Sequence, residues 1–195
     1  MPRIKAAAAH VAPVFLEVGA TIEKTCSIIS EAAGHGAQLI AFPEAYVPAF
    51  PVWSALRSPI YNHDLFCRLV ANSILVDGPE MARICKAARK KECLVSVGFN
   101  EATRDSVGCV YNSNVLIGEE GAILNHHRKI VPTFYEKLSW SPGDGAGLRV
   151  CETNCGRVGM LICGENTNPL ARYTMMAEGE QVHISTYPPI WPSHE

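Results

Sequence analysis

A chain of 195 residues suits one ordinary domain and is short for two. Its 48% hydrophobic content argues against disorder, and 17 basic against 19 acidic residues (net charge −2) give no general attraction for nucleic acid or an anionic membrane. No stretch approaches the roughly 18 apolar residues of a membrane span.

The alanine run behind Arg3 and Lys5 is broken by His10, Pro13 and Glu17, so it reads as an opening strand rather than a signal peptide. Without a secretory signal, the eight cysteines are expected as reduced thiols in the cytosol. A strand over Lys5 to Ala12 is followed by a helix with Ile22, Cys26 and Ile29 on one face, ended by Gly34-His35-Gly36. Gln38 to Phe42 is a short buried strand. Asp77-Gly78-Pro79-Glu80 opens a second helix, with proline in the first turn and Met81, Ile84, Cys85 and Ala88 on its apolar face. Leu94 to Phe99 returns as a strand. Asn114 to Ile117 and Ala122 to Asn125 form a hairpin around Gly118-Glu119-Glu120-Gly121, and Ser141 to Gly145 is a loop. Leu148 to Glu152 and Arg157 to Ile162 form a second hairpin, turning at Asn154-Cys155-Gly156. A helix over Pro169 to Glu178 and a strand over Val182 to Tyr187 complete the pattern. This order predicts an α/β protein with a mixed sheet and helices on one face. The apolar stretch Tyr187 to Glu195 directly follows a strand, so the expectation is one domain over residues 1–195 that is incomplete at its C-terminal end.

Three strand ends carry reactive side chains. Cys163 follows the apolar run Val158 to Ile162, and Gly164 after it offers an unencumbered amide to a developing negative charge. Taken alone, a cysteine there is more often a structural thiol. Glu44 follows Leu39 to Pro43, where a dry setting would raise its pKa and suit it to general base catalysis; in isolation a solvated loop carboxylate is the commoner outcome. Lys129 ends His126-His127-Arg128-Lys129, which as a bare charge run is usually a solvated face. The adjacent histidines point to opposite faces of a strand, which disfavours a metal site. Cys151 and Cys155 flank a hairpin turn and are expected in the core.

Together, Phe42-Pro43-Glu44, Arg128 to Thr133 and Cys163-Gly164-Glu165-Asn166 resemble the nitrilase branch of the carbon–nitrogen hydrolase superfamily. The stretches Tyr46 to Trp53, Asp77 to Pro79, Asn112 to Leu124 and Asn168 to Trp191 carry the same likeness, which covers essentially the whole chain. The resemblance implies a four-layer αββα sandwich and a Glu-Lys-Cys triad. Glu44 would be the base, Lys129 the oxyanion stabiliser and Cys163 the nucleophile, with Glu136 as an additional pocket glutamate. It implies Gly164 as an oxyanion donor and Tyr46, Trp53, Tyr135 and Trp191 as residues whose fit selects the nitrile. It also implies no metal or organic cofactor, and a homo-oligomer. Glu165 matches the nitrilase branch, whereas amidase branches more often place Asp there. Gly164 departs from the Trp of many nitrilases. An amidase or carbamoylase with the same triad, and an inactive fragment acting only by association, are the alternatives.

Overall fold

The computed structural model describes residues 3–189. The strands form two sheets rather than one. In the first, β1 (Ala6–Ala8), β2 (Leu39–Ala41) and β3 (Leu94–Ala102) run parallel. Two antiparallel strands, β4 (Val110–Ile117) and β5 (Ile123–Arg128), follow in the order β1-β2-β3-β4-β5. The second sheet has β6 (Cys151–Thr153) antiparallel to β7 (Gly156–Ile162), and β8 (Val182–Thr186) parallel to it. The expected single mixed sheet is thereby corrected: the second hairpin begins a new sheet. Its inner residues Val158 and Met160 are apolar and need a facing apolar surface.

That surface comes from strand alternation. Val95 and Val97 of β3, with Ile40, Val115 and Ile117, face α1 (Val18–Gly34) and α4 (Pro79–Lys91) through Ile22, Ile29, Met81, Ile84 and Ala88. Leu39, Leu94 and Leu116 point the other way and pack on Cys151, Cys155, Val158, Met160 and Ile184 of the second sheet. On that sheet's outer side, Leu161 meets Ala171 and Met175 of α5 (Pro169–Ala177). The layers are therefore helices, sheet, sheet, helix, in agreement with the αββα architecture that the resemblance implies.

α4 starts at Pro79 after Gly78 and carries Glu80 in its first turn and Arg89, Lys90 and Lys91 in its last, each charge placed to suit the helix dipole. Two helices went unread in the sequence, α2 (Trp53–Leu56) and α3 (His63–Asn72). Leu65, Phe66, Leu69 and Val70 have helical spacing in α3, yet only Leu69 is buried, so the apolar stripe is a narrow signal.

The inter-sheet core depends on interdigitated side chains. Leu94→Ala should lower unfolding stability by about 2–5 kcal/mol, measurable as a lower urea midpoint with an unchanged slope.

Candidate functional site

Along their inner faces, β3 and β4 change from apolar to polar in one direction. β3 reads Leu94, Ser96, Gly98, Asn100, and β4 read backwards gives Leu116, Asn114, Asn112. The polar ends meet at the rim of the inter-sheet space, where Glu44 arrives in the turn after β2 and Lys129 follows β5. Asn112 Nδ2 donates to Glu44 Oε1 (2.7 Å). Lys129 Nζ donates to Glu44 Oε1 (2.9 Å) and to Glu136 Oε2 (2.6 Å). Cys163 comes from the second sheet, directly after β7. Its Sγ and one oxygen from each of Glu44 and Glu136 lie within 4.8 Å of one another. Glu44, Lys129 and Glu136 are essentially buried, and Cys163 is half-buried.

Glu136 is held by a capping box legible in the sequence as Thr-x-x-Glu. It sits in a short helical turn, Phe134–Leu138, capped by Thr133, whose amide donates to Glu136 Oε2 (2.7 Å). One carboxylate oxygen thus serves both the backbone cap and the ammonium.

One ammonium faces two carboxylates in a dry site, so negative charge is in excess. Burial pushes the Glu44 carboxyl above the ordinary range, with the neighbouring Lys129 pulling back only in part. For Lys129, burial lowers the pKa, but the two carboxylates outweigh it and the ammonium is held more firmly than usual. The Cys163 thiol is pushed up to about 11, first by burial and then by Glu44, against the opposing pull of Lys129 and the Gly164 amide. At neutral pH the thiol is therefore protonated, and its proton must leave as it attacks. Glu44 Oε2, buried and without a hydrogen-bond partner, is free to receive it.

The backbone is bent at each approach. Ala45 (φ 47°), Phe134 (φ 43°) and Cys163 (φ 50°) adopt left-handed conformations uncommon for residues with side chains. Two glycines permit close contact where the site is built. A Cβ on Gly98 would lie 2.4 Å from Pro43 O and 2.9 Å from Glu44 Cα. One on Gly143 would lie 2.7 Å from Lys129 O, which accepts the Gly143 amide at 2.9 Å. Asn100 Nδ2 also donates to the carbonyls of Val47 (3.1 Å) and Ala49 (2.9 Å), fixing the loop after Glu44.

Glu165 does more than its sequence position indicated. Its Oε1 accepts the amide of Ile130 (2.6 Å), and its Oε2 accepts the amide of Ile162 (2.9 Å) and His127 Nε2–H (2.8 Å). His126, on the other face of β5, meets Glu101 at 2.8 Å. The two histidines thus diverge as expected. The position between Glu44 and Glu136, which a cation could occupy, is filled by the Lys129 ammonium.

The residues expected to select the substrate divide. Gly164 adjoins the thiol and is exposed. Tyr135 is half-buried, and its hydroxyl pKa is raised by burial, then by Glu136 and Cys163, which places it beside the site. Tyr46 and Trp53 need correction. Tyr46 is wholly buried in the helix-side core, its ring 5.3 Å from Phe42, because its strand-following turn points it under α1. Trp53 packs with Leu16, Ala49 and Leu69 and edges a separate 200 Å³ cavity beside Asn62 and Phe66. Trp191 lies outside the described residues. Asn112 went unnoticed in the sequence, where only its place on the inner face of β4 could have marked it.

The family pattern of the carbon–nitrogen hydrolases matches residues 5–195, and the chain belongs to that family. It is 41% identical to a nitrilase of Paraburkholderia phymatum over 95% of this chain and 54% of that protein. It is 40% identical to an arylacetonitrilase of Hypocrea virens over 96% of this chain and 56% of the other, and 40% identical to a cyanide hydratase of Gibberella zeae over 99% and 54%. The chain thus spans a little over half the length of these relatives. Among solved structures, the fold matches Saccharomyces cerevisiae Nit3, of branch 10 of the nitrilase superfamily. That match has a TM-score of 0.76 at 20% identity and covers 94% of this chain and 64% of that one. An amidase from Nesterenkonia sp. matches with a TM-score of 0.70 at 16% identity, over 94% and 64%.

Glu44 raises the thiol pKa, so removing its charge should lower it. In Glu44→Gln, the pH midpoint for alkylation of Cys163 by iodoacetamide should fall below about 11, read by mass spectrometry of the Cys163 peptide across a pH series. An unchanged midpoint would show that Glu44 does not act on the thiol.

Proposed function

We propose that this chain carries the catalytic groups of a thiol hydrolase that converts a nitrile into a carboxylic acid and ammonia. One observation carries the reading: the Cys163 thiol faces two buried carboxylates bridged by the Lys129 ammonium. The nitrilase and arylacetonitrilase relatives, at 40–41% identity, support nitriles as the substrate class.

In this reading Glu44 takes the Cys163 proton as sulfur bonds to the nitrile carbon. One π bond of the triple bond breaks, and the proton passes to nitrogen, giving a thioimidate. Water adds to the same carbon, with Glu44 receiving its proton. Lys129 and the Gly164 amide stabilise the charge on the tetrahedral species. Glu44 passes that proton to nitrogen and then carries the hydroxyl proton to it as well, so that the C–N bond breaks to release ammonia while the oxygen closes the carbonyl of a thioester. A second water, deprotonated by Glu44, then displaces sulfur, which recovers its proton as the acid departs. Glu136 holds the Lys129 ammonium in place. Tyr135 is the proposed substrate contact among the described aromatic residues. These steps use only groups of the chain and require no organic cofactor.

The cytosol and self-association belong to the same proposal. All eight cysteines are free thiols, which fits a reducing compartment, and no helix among the described residues is long and apolar enough to cross a membrane. α5 leaves Leu170, Tyr173 and Met176 exposed, an apolar surface suited to association and measurable by size-exclusion chromatography.

A panel of aromatic, arylaliphatic and aliphatic nitriles, assayed for ammonia and for the ratio of acid to amide, tests the reaction. Release of ammonia from amides with none from nitriles would select an amidase instead. Cys163→Ala should abolish turnover while the melting temperature changes little, because a half-exposed thiol contributes little packing. Activity retained in that variant would remove Cys163 as the nucleophile.

A further inference from the structure

A second carboxylate–histidine pair approaches the Cys163 turn from the side opposite Glu44. β7 and β8 pair Gly159 with His183, and both face α5. A Cβ on Gly159 would lie 2.1 Å from Glu180 Oε1 and 3.1 Å from Met175 Sδ, so the glycine leaves the space that the Glu180 carboxylate fills. Glu180 Oε1 meets His183 Nδ1 at 2.6 Å, and Arg172 Nη1 donates to Glu180 Oε2 at 3.0 Å. Arg172 Nη1 also lies 2.7 Å from His183 Nδ1. His183 Nε2 reaches Asn166 Oδ1 at 2.6 Å.

The orientation of Asn166 follows from its other end. Its Nδ2 donates to the carbonyls of Cys163 (2.8 Å) and Leu161 (3.3 Å), so its Oδ1 must turn to His183 and accept a proton carried on Nε2. The held carbonyl is the informative one. The Cys163 C=O and the Gly164 N–H are the two ends of one planar trans peptide and point in opposite directions. Fixing the carbonyl on Asn166 therefore aims the Gly164 N–H away from α5, toward the side where sulfur and substrate meet. A hydrogen bond accepted by that carbonyl also polarises the amide and strengthens its N–H as a donor. On the next peptide, Thr167 Oγ1 donates to Gly164 O (2.8 Å), so the glycine is held on both sides despite its freedom.

We propose that Glu180, His183 and Asn166 form a positioning relay that orients and polarises the Gly164 amide as the oxyanion donor of the Cys163 site. The proposal rests on the thiol-hydrolase reading, and its test does not require turnover. An aldehyde such as phenylacetaldehyde adds the Cys163 sulfur to its carbonyl carbon. The C=O π bond opens, the thiol proton passes to Glu44, and the new oxyanion needs the same donor. Alkylation by iodoacetamide displaces iodide at carbon and needs no such donor.

The experiment measures how strongly the aldehyde protects Cys163 from iodoacetamide, in the unaltered protein and in His183→Leu, Asn166→Ala and His183→Gln. In the first two, protection should weaken by about tenfold or more, a partial loss of an oxyanion donor. Their alkylation rates without aldehyde should fall by clearly less than the protection does, because the Gly164 amide is the smallest of the named influences on the thiol, and their melting temperatures should stay close to that of the unaltered protein. His183→Gln, which keeps an N–H for Asn166, should recover most of the protection. Unchanged protection in the first two variants, a parallel loss of protection and alkylation, or no protection of the unaltered protein would each overturn the relay. Ammonia release from nitriles on the same samples keeps the two questions apart: its absence in the unaltered protein, with the protection pattern intact, would count against the nitrile reading alone.

Discussion

The site is organised by one buried ammonium held between two buried carboxylates. An isolated charge out of water is costly, and the Lys129, Glu44 and Glu136 side chains are between 0 and 3% exposed. Each therefore depends on the others, and their hydrogen bonds are nearly saturated. Glu44 Oε1 accepts Asn112 and Lys129, and Glu136 Oε2 accepts Lys129 and the Thr133 amide. On Glu44, the oxygen that remains buried and unpaired is Oε2. The residual negative charge explains why the thiol stays protonated and why a proton is welcome on Glu44. A resting thiolate would add a second uncompensated charge, so activation must coincide with attack.

Such an arrangement needs a backbone that resists relaxing, and the chain supplies it at some local cost. Left-handed residues stand at Ala45, Phe134 and Cys163, each at or near a side chain of the cluster. Each bend is over-determined by neighbours: Asn100 grips the carbonyls after Ala45, the capping box encloses Phe134, and Asn166 holds the Cys163 carbonyl. The polar inner rim of the first sheet is therefore occupied largely by residues that hold other residues.

The elements with strong periodicity were legible in the sequence. The α1 and α4 stripes, the Gly-Glu-Glu-Gly hairpin and the apolar run before Cys163 appear where their patterns place them, because each buries one face against a partner. The division into two sheets was not legible from alternation, since Val158 and Met160 have the same pattern whether they face a helix or a sheet; only the family resemblance implied it. Glu44, Lys129 and Cys163 could be named because each stands in a motif next to a strand end, and Glu136 because the family resemblance implied it. Tyr46 and Trp53 were misplaced because proximity in sequence to Glu44 says nothing about direction, and a turn with left-handed Ala45 sends Tyr46 into the core. Asn112, Asn166 and His183 are isolated polar residues whose meaning comes from partners distant in sequence or on other elements.

The sheets also raise a question of registration. Glu44 and Lys129 stand at strand ends of the first sheet, Glu136 in the turn that follows it, and the thiol at a strand end of the second; the apolar contact between the sheets is non-directional, so it cannot by itself fix their separation closely. Glu165 supplies direction. Its carboxylate accepts the amides of Ile130 and Ile162, the residues adjoining Lys129 and Cys163, while His127 locks the same group from β5. A single side chain thus ties the strand end that leads into the thiol to the one that carries the ammonium, through bonds with defined lengths and angles. An aspartate would be shorter by one carbon–carbon bond, about 1.5 Å, and could keep both amides only by drawing the sheets together or by letting one bond lengthen. The length of this side chain therefore bears on the spacing between Lys129 and Cys163, even though Glu165 is not a member of the reacting cluster.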